Sequence, residues 1–197
     1  MVTVNQDESL LDVEDVEEEA ESNSAGRNVF EWVVVIVSSV VFALLLRAFV
    51  LAAFWIPSGS MEPTLQIKDR VLVNKLSYVV GDIGRGDIVV IEREEVVPGQ
   101  TKDLIKRVVA FSGETVEVRD DTVFIDGEPL DESDYLADDV PEDEFGPETV
   151  PDGHIFVLGD NRPRSDDSSR GLGPVKETQV VGKAFVRFLP FDRIGGL

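Results

Sequence analysis

The sequence contains no cysteine and a single histidine, His154. The first absence removes thiol nucleophiles, disulfides and thiolate metal sites together. The second leaves no multi-histidine metal site, and no calcium-loop spacing occurs among the carboxylates, so neither a metal nor a cofactor is expected. Positive charge is also scarce: 18 basic residues stand against 39 acidic ones, a formal net charge of −21 over 197 residues. Such a chain repels phosphate instead of releasing its counterions, which excludes nucleic acid as a partner.

Long apolar runs occur in one place. Residues 1–28 are polar and acidic, as in "DVEDVEEEAESNSAG", and hold too few large apolar side chains to offset the entropy of ordering. They are predicted to form a disordered tail. The next stretch, "VFEWVVVIVSSVVFALLLRAFVLAAF", has an uncharged part from Trp32 to Leu46. Those residues alone cover about 22 Å as a helix, short of the ~30 Å hydrocarbon core. The apolar pattern continues through Ala48–Phe54, however, and Glu31 and Arg47 are spaced to meet the two interfaces. A transmembrane helix is therefore predicted over Val29–Leu51. A cleavable leader would need a short basic n-region, which the acidic tail is not. Charge leaves the orientation open, with Arg27 on one side and Arg47, Lys68 and Arg70 on the other.

From residue 52 to 197 the texture is mostly β. Short β-branched runs such as "DRVLVNK", "GDIVVIERE" and "GHIFVLGDN" alternate with turn residues, and "TVEVRDDTVFIDG" reads as a hairpin. Leu130–Gly153 is acidic and punctuated by Pro and Gly, and is expected to be an exposed excursion between strands.

Three stretches carry residues with usable chemistry. "FWIPSGSMEPTL" places Ser58 and Ser60 just beyond the apolar run. Serine needs a base to become a nucleophile, and two are on offer. His154 lies at a turn-to-strand junction, where a lone histidine also serves structure. Lys106 lies in "TKDLIKRVVAFSG"; as a base it must be neutral, which burial among aliphatic groups achieves by lowering its pKa. Strand alternation puts Leu104, Lys106 and Val108 on one face and Arg107 on the other; a reversed or broken register leaves Lys106 solvated. The third stretch, "LGDNRPRSDDSSRGLGP", is either a polar loop with Asp–Arg pairs or a buttress whose serine orients the lysine while an Asp–Arg pair fixes the loop.

Taken in order, "PSGSMEPTL" with "DRVLVNK", then "GDIVV", "KRVV", "GDNR", "GPV" and "RIGG" resemble bacterial type I signal peptidase, also called leader peptidase. This is the membrane-anchored Ser/Lys protease family that removes signal peptides from exported preproteins. The resemblance runs from the apolar helix to the C-terminus. It implies a catalytic β domain of coiled antiparallel sheets behind one N-terminal membrane helix, the tail in the cytoplasm and the domain outside. It implies Ser60 as acylating nucleophile, Lys106 as general base, and Ser58 in the oxyanion hole beside the Ser60 N–H. Ser165 matches the serine that positions the lysine. Phe54, Ile56, Pro57, Met61, Leu65, Val71 and Ile105 match positions lining shallow substrate pockets. The expected partners are signal peptides of exported preproteins, membrane lipid and the neighbourhood of the export translocon.

Two departures stand out. "SDDSSRGLGP" has one residue more than the family pattern, so Ser165 and Asp167 align from the left and Arg170 from the right, with an insertion between. Leu104 stands where some members carry an aromatic residue. Two other readings remain: a Ser/Lys autoprotease related to self-cleaving SOS repressors, which the apolar segment and the lack of a DNA-binding domain disfavour, and a non-catalytic membrane-anchored β domain that binds exported proteins.

Overall fold

The computed structural model describes residues 30–45, 50–94, 102–136 and 141–197; the acidic tail predicted over 1–28 lies outside them. The chain divides into two units between Arg47 and Ala48. In the first, residues 30–45 form a helix, α1, with apolar side chains from Phe30 and Trp32 to Leu44 and Leu45 exposed. At ~1.5 Å per residue this stretch covers about 24 Å, and no helix among the described residues is long and apolar enough to cross a membrane. The far end of the predicted span also differs, since Val50 is in a turn and Leu51 opens a strand. The reason is pairing: Leu51 faces Asn74 in an antiparallel ladder, so the backbone of this apolar stretch bonds across strands and not along a helix.

The second unit is built from antiparallel strands. The larger sheet has eight: β1 (Leu51–Trp55), β2 (Arg70–Asn74), β3 (Ile88–Glu92), β4 (Asp103–Phe111), β9 (His154–Leu158), β10 (Val175–Lys176), β11 (Val180–Leu189) and β12 (Gly195–Gly196). Its order is β1-β2-β11-β3-β4-β9-β10, with β12 on β11. The smaller sheet holds β5 (Thr115–Arg119), β6 (Thr122–Ile125), β7 (Glu128–Pro129) and β8 (Phe145–Thr149) in the order β7-β6-β5-β8.

β4 and its neighbour β3 carry apolar residues on both faces because both faces are covered. Ile105, facing Val90, belongs to a core with Ile56, Met61, Leu65, Val71 and Val73. Val108 belongs to a second core with Val89, Ile91 and Val157, against which Leu104 packs. The alternation expected for β4 is the one observed, and Lys106, opposite Val89, falls on the Leu104–Val108 face. A third core, including Val109, Val116, Val118 and Phe156, joins the sheets; Phe156 of β9 meets Phe145 of β8 with ring centroids 5.2 Å apart.

The excursion expected over Leu130–Gly153 is only partly exposed. It contains β8, it buries Val150 in the third core, and the Glu142 side chain is 3% exposed. Acidic composition concealed this because the buried carboxylate is paired with Arg162.

Since Phe156 is fully buried between the sheets, Phe156→Ala is expected to lower unfolding free energy by about 3–5 kcal/mol. Denaturant titration of the detergent-solubilised chain checks this, and a loss below about 1 kcal/mol contradicts the assignment of that ring to a common core.

Candidate active site

The segment after β1 is held by its apolar residues. Ile56, Met61 and Leu65 are at most 1% exposed, the Ile56 N–H bonds the Asp69 carbonyl, and the Leu65 N–H bonds that of Met61. Between these anchors the small residues Ser58, Gly59 and Ser60 turn the chain, leaving Ser58 exposed and Ser60 buried.

Lys106 reaches this turn from β4. Its Nζ donates to Ser60 Oγ at 2.9 Å, with both residues buried. Burial pushes the lysine pKa down to about 8; Asp167, Asp166 and Asp160 oppose the shift, while Arg93 adds to it. A buried amine against a serine hydroxyl is what a serine–lysine proton transfer requires. His154 offers no competing arrangement, because it lies beyond the Phe111 end of β4, where its Nδ1 meets the Asp152 carbonyl.

The loop after β9 fixes this pair from the other side. The Asn161 side chain donates to the Gly59 carbonyl at 2.9 Å, and its backbone N–H donates to the Ser60 carbonyl at 3.0 Å. Asp160 accepts from Arg107 Nε at 2.9 Å and from a terminal guanidinium nitrogen at 2.7 Å, and also accepts from Thr64 at 2.6 Å. An Asp–Arg pair therefore does fix the loop, but its arginine comes from β4. Asp167, 1% exposed, accepts the Gly159 N–H and the Ser169 hydroxyl. Arg170 donates to the Arg162 carbonyl and pairs with Asp143. Asp166 pairs with Arg93 at 2.8 Å. Ser165 Oγ is buried without a hydrogen-bond partner, so the bond to Lys106 implied for it is not formed here.

Beside the hydroxyl lies a cleft of about 40 Å³. Of the residues matched to substrate pockets, Phe54, Ile56, Pro57 and Ile105 line it, joined by Trp55, Val90, Asp103 and Leu104. Met61, Leu65 and Val71 are fully buried in the core and do not line it. The residues missed by sequence reasoning are Asn161, Asp160, Arg107 and Thr64. All four lie within the motifs "PSGSMEPTL", "KRVV" and "GDNR", and Asp160, Asn161 and Arg107 also show as polar residues beside apolar runs. A larger cavity, about 720 Å³, opens around Arg107 and also touches Tyr135, Arg187 and Arg193, with neither Ser60 nor Lys106 in its wall.

A model of the family described as "Signal peptidase, peptidase S26" matches residues 29–189. The chain belongs to the signal peptidase family, peptidase S26. Its relatives include a signal peptidase I of Bacillus licheniformis, 39% identical over 185 residues, which cover 89% of this chain and 97% of that protein. A signal peptidase I of Leptolyngbya laminosa is 45% identical over 163 residues, covering 81% and 79%. A solved signal peptidase I from Enterococcus faecalis, 36% identical, covers 51% of this chain and 95% of its own at a TM-score of 0.41. As a signal peptidase the chain is a hydrolase, a serine protease that processes the signal peptides of preproteins.

Gly159 shows how tightly this signal peptidase packs its site. A Cβ there would stand 2.2 Å from Ser165 Oγ and 2.5 Å from the Ser60 carbonyl oxygen. Gly159→Ala is expected to push the Ser60 turn away from Lys106 and lower the rate of preprotein processing at least ~100-fold, as misplacement of about 1 Å does. A near wild-type rate in a gel-based cleavage assay contradicts that close approach.

Proposed function

We propose that this chain cleaves signal peptides with Ser60 as nucleophile and Lys106 as general base, at the outer face of the plasma membrane. The observation that carries the reading is the 2.9 Å contact between Lys106 Nζ and Ser60 Oγ inside a buried site. Once Lys106 is deprotonated, the same contact lets Nζ accept the hydroxyl proton. Ser60 Oγ then bonds to the scissile carbonyl carbon, and the carbonyl electron pair moves onto oxygen. The Ser60 N–H and the exposed Ser58 hydroxyl are the proposed donors to that oxyanion, each worth a few kcal/mol. The intermediate collapses as the C–N bond breaks, and the Lys106 ammonium protonates the leaving amine. Water, activated by the lysine, hydrolyses the acyl-enzyme by the same steps.

Strand edges support the substrate's placement. Among the described residues, β1 ends its sheet and pairs only with β2, while β4 pairs with β9 only from Arg107 onward. Among the described residues nothing pairs with the opposite edges of Phe54–Trp55 and Asp103–Lys106, which lie on the cleft walls. An extended signal-peptide end adds to such edges by backbone bonds, and side-chain pockets select small residues. Asp167 supports the loop through the Gly159 N–H, with Arg170 tying it to Asp143.

The membrane placement has separate support. α1 is apolar on every side, as a helix in lipid is. Together with the apolar residues around it, α1 is read as a single-pass anchor with the acidic tail in the cytoplasm. The signal peptide would then meet the enzyme near the export translocon.

The deciding experiment purifies the chain in detergent and adds a preprotein with an Ala-X-Ala end. Ser60→Ala and Lys106→Ala are each expected to abolish processing; survival of activity in either variant sinks the dyad and favours a non-catalytic binder. Cleavage of its own chain with the preprotein left intact would favour the autoprotease.

Acidity gives a second expectation. Because the base must be neutral and titrates at about 8, kcat should fall about tenfold per pH unit below that value. A flat profile down to pH 6 contradicts a lysine base.

Stability gives a third. The folded pKa lies below the ordinary 10.5, so the fold loses stability as pH drops from 10.5 to about 8 and carries the whole penalty below that. Lys106→Met should therefore be inactive yet raise Tm at pH 7. An unchanged or lowered Tm would show that burial does not strain the lysine.

A further inference from the structure

Arg162 stands next to Asn161, the residue that holds both carbonyls of the serine turn. Its guanidinium is 3% exposed and binds three groups. Nε donates to the Gly159 carbonyl at 3.1 Å, one terminal nitrogen to Glu132 at 2.5 Å, and the other to Glu142. Both carboxylates come from the acidic excursion that precedes β9, and their side chains are 12% and 3% exposed. Burial pushes the Glu142 carboxyl up, against the pull of Arg162. Two carboxylates on one cation, taken out of water, exceed what neutralising Arg162 requires, and such burial is a poor source of stability.

The same excursion reaches the second arginine of the site. The Tyr135 ring lies 3.9 Å from the Arg107 guanidinium, on the group that grips Asp160. The Tyr135 hydroxyl donates to Glu132 at 2.7 Å. One element thus braces both ends of the Gly159–Arg162 segment: Arg107 and Asp160 through the Tyr135 ring, Arg162 and Gly159 through the two glutamates.

We propose that Glu132 and Glu142 are positioning residues for peptide cleavage, holding through Arg162 the loop that fixes Ser60 against Lys106. The inference rests on the Ser60–Lys106 reading and extends it to an element that does not touch the dyad. It also predicts which kinetic constant responds. The cleft walls come from β1 and the turn after it, from Val90 of β3 and from β4, and among the described residues none of these bonds the Glu132 or Glu142 side chain. Loosening the loop should therefore spare substrate binding and slow the chemical step, because reacting groups lose alignment.

The test compares the full chain in detergent with Glu132→Gln, Glu142→Gln and the double variant, using steady-state cleavage of a preprotein together with Tm. The double variant is expected to lose at least ~10-fold in kcat, with KM within twofold, in assays run well below its Tm, which falls because Arg162 is left buried without a counter-charge. Each single variant should lose less, since one carboxylate still holds Arg162. A wild-type kcat in the double variant overturns the proposal, and so does a rise in KM at unchanged kcat. Loss of kcat that appears only at temperatures where the variant unfolds assigns the glutamates to folding alone and also overturns it. If the double variant does not fold, Glu142→Gln carries the same comparison with a threefold loss of kcat as its threshold. Ser60→Ala and Lys106→Ala, run alongside, separate the two ideas. If they process normally the dyad is wrong, whereas inactive dyad variants beside a fully active double variant remove only the role of the glutamates.

Discussion

The buried amine of Lys106 is the constraint to which the rest of the site answers. An ammonium among aliphatic groups is unfavourable, and the resulting pull toward the neutral form brings its pKa to about 8. That pull exists because β4 runs between filled cores, with six consecutive residues from Ile105 to Ala110 buried. On an edge strand with one wet face the same lysine would be solvated and would keep its ordinary value of 10.5. The fold thus favours the neutral amine, the form the proposed base requires, by withholding water from it, a task no neighbouring charge performs alone, since three of the four nearby charges act in the opposite sense.

An amine so placed meets the Ser60 hydroxyl only if that turn is delivered to within hydrogen-bond distance, and here the structure uses separate supports. Ile56, Met61 and Leu65 anchor the serine turn in the core below. Asn161 holds the carbonyls of Gly59 and Ser60 from above. Behind Asn161 stand two arginines, Arg107 on Asp160 and Arg162 on the Gly159 carbonyl. The excess of carboxylates over cations in this chain has a structural use there, because each guanidinium is met by at least one buried acid.

Much of this could be read without coordinates, though unevenly. The motif order pointed to the family, and strand alternation assigned Lys106 to the face of Leu104 and Val108, as found. Positions carried over by resemblance are less exact. Met61, Leu65 and Val71 matched pocket positions, yet they are buried beneath the cleft, while Trp55 and Asp103 stand on its wall. The extra residue in "SDDSSR" was visible as a count; only pairing shows Asp166 on Arg93 and Asp167 capping Gly159. Leu51 looked helical because an apolar run carries no sign of where its backbone will bond. The acidic excursion looked solvated because composition cannot show that Glu142 faces an arginine 20 residues away.

The sequence by itself determined the chemical inventory: no thiol, no histidine cluster, two serines at the end of an apolar run, and one lysine inside an aliphatic strand. These are local properties, legible in residue type and spacing. Tertiary structure alone decided which base meets which hydroxyl, since Ser60 and Lys106 lie 46 positions apart and meet only when β4 and the β1 turn pack together. It also decided the pKa of that base and the braces behind it. Dielectric environment and long-range pairing depend on what surrounds a group in space, and a linear order of residues does not contain that information.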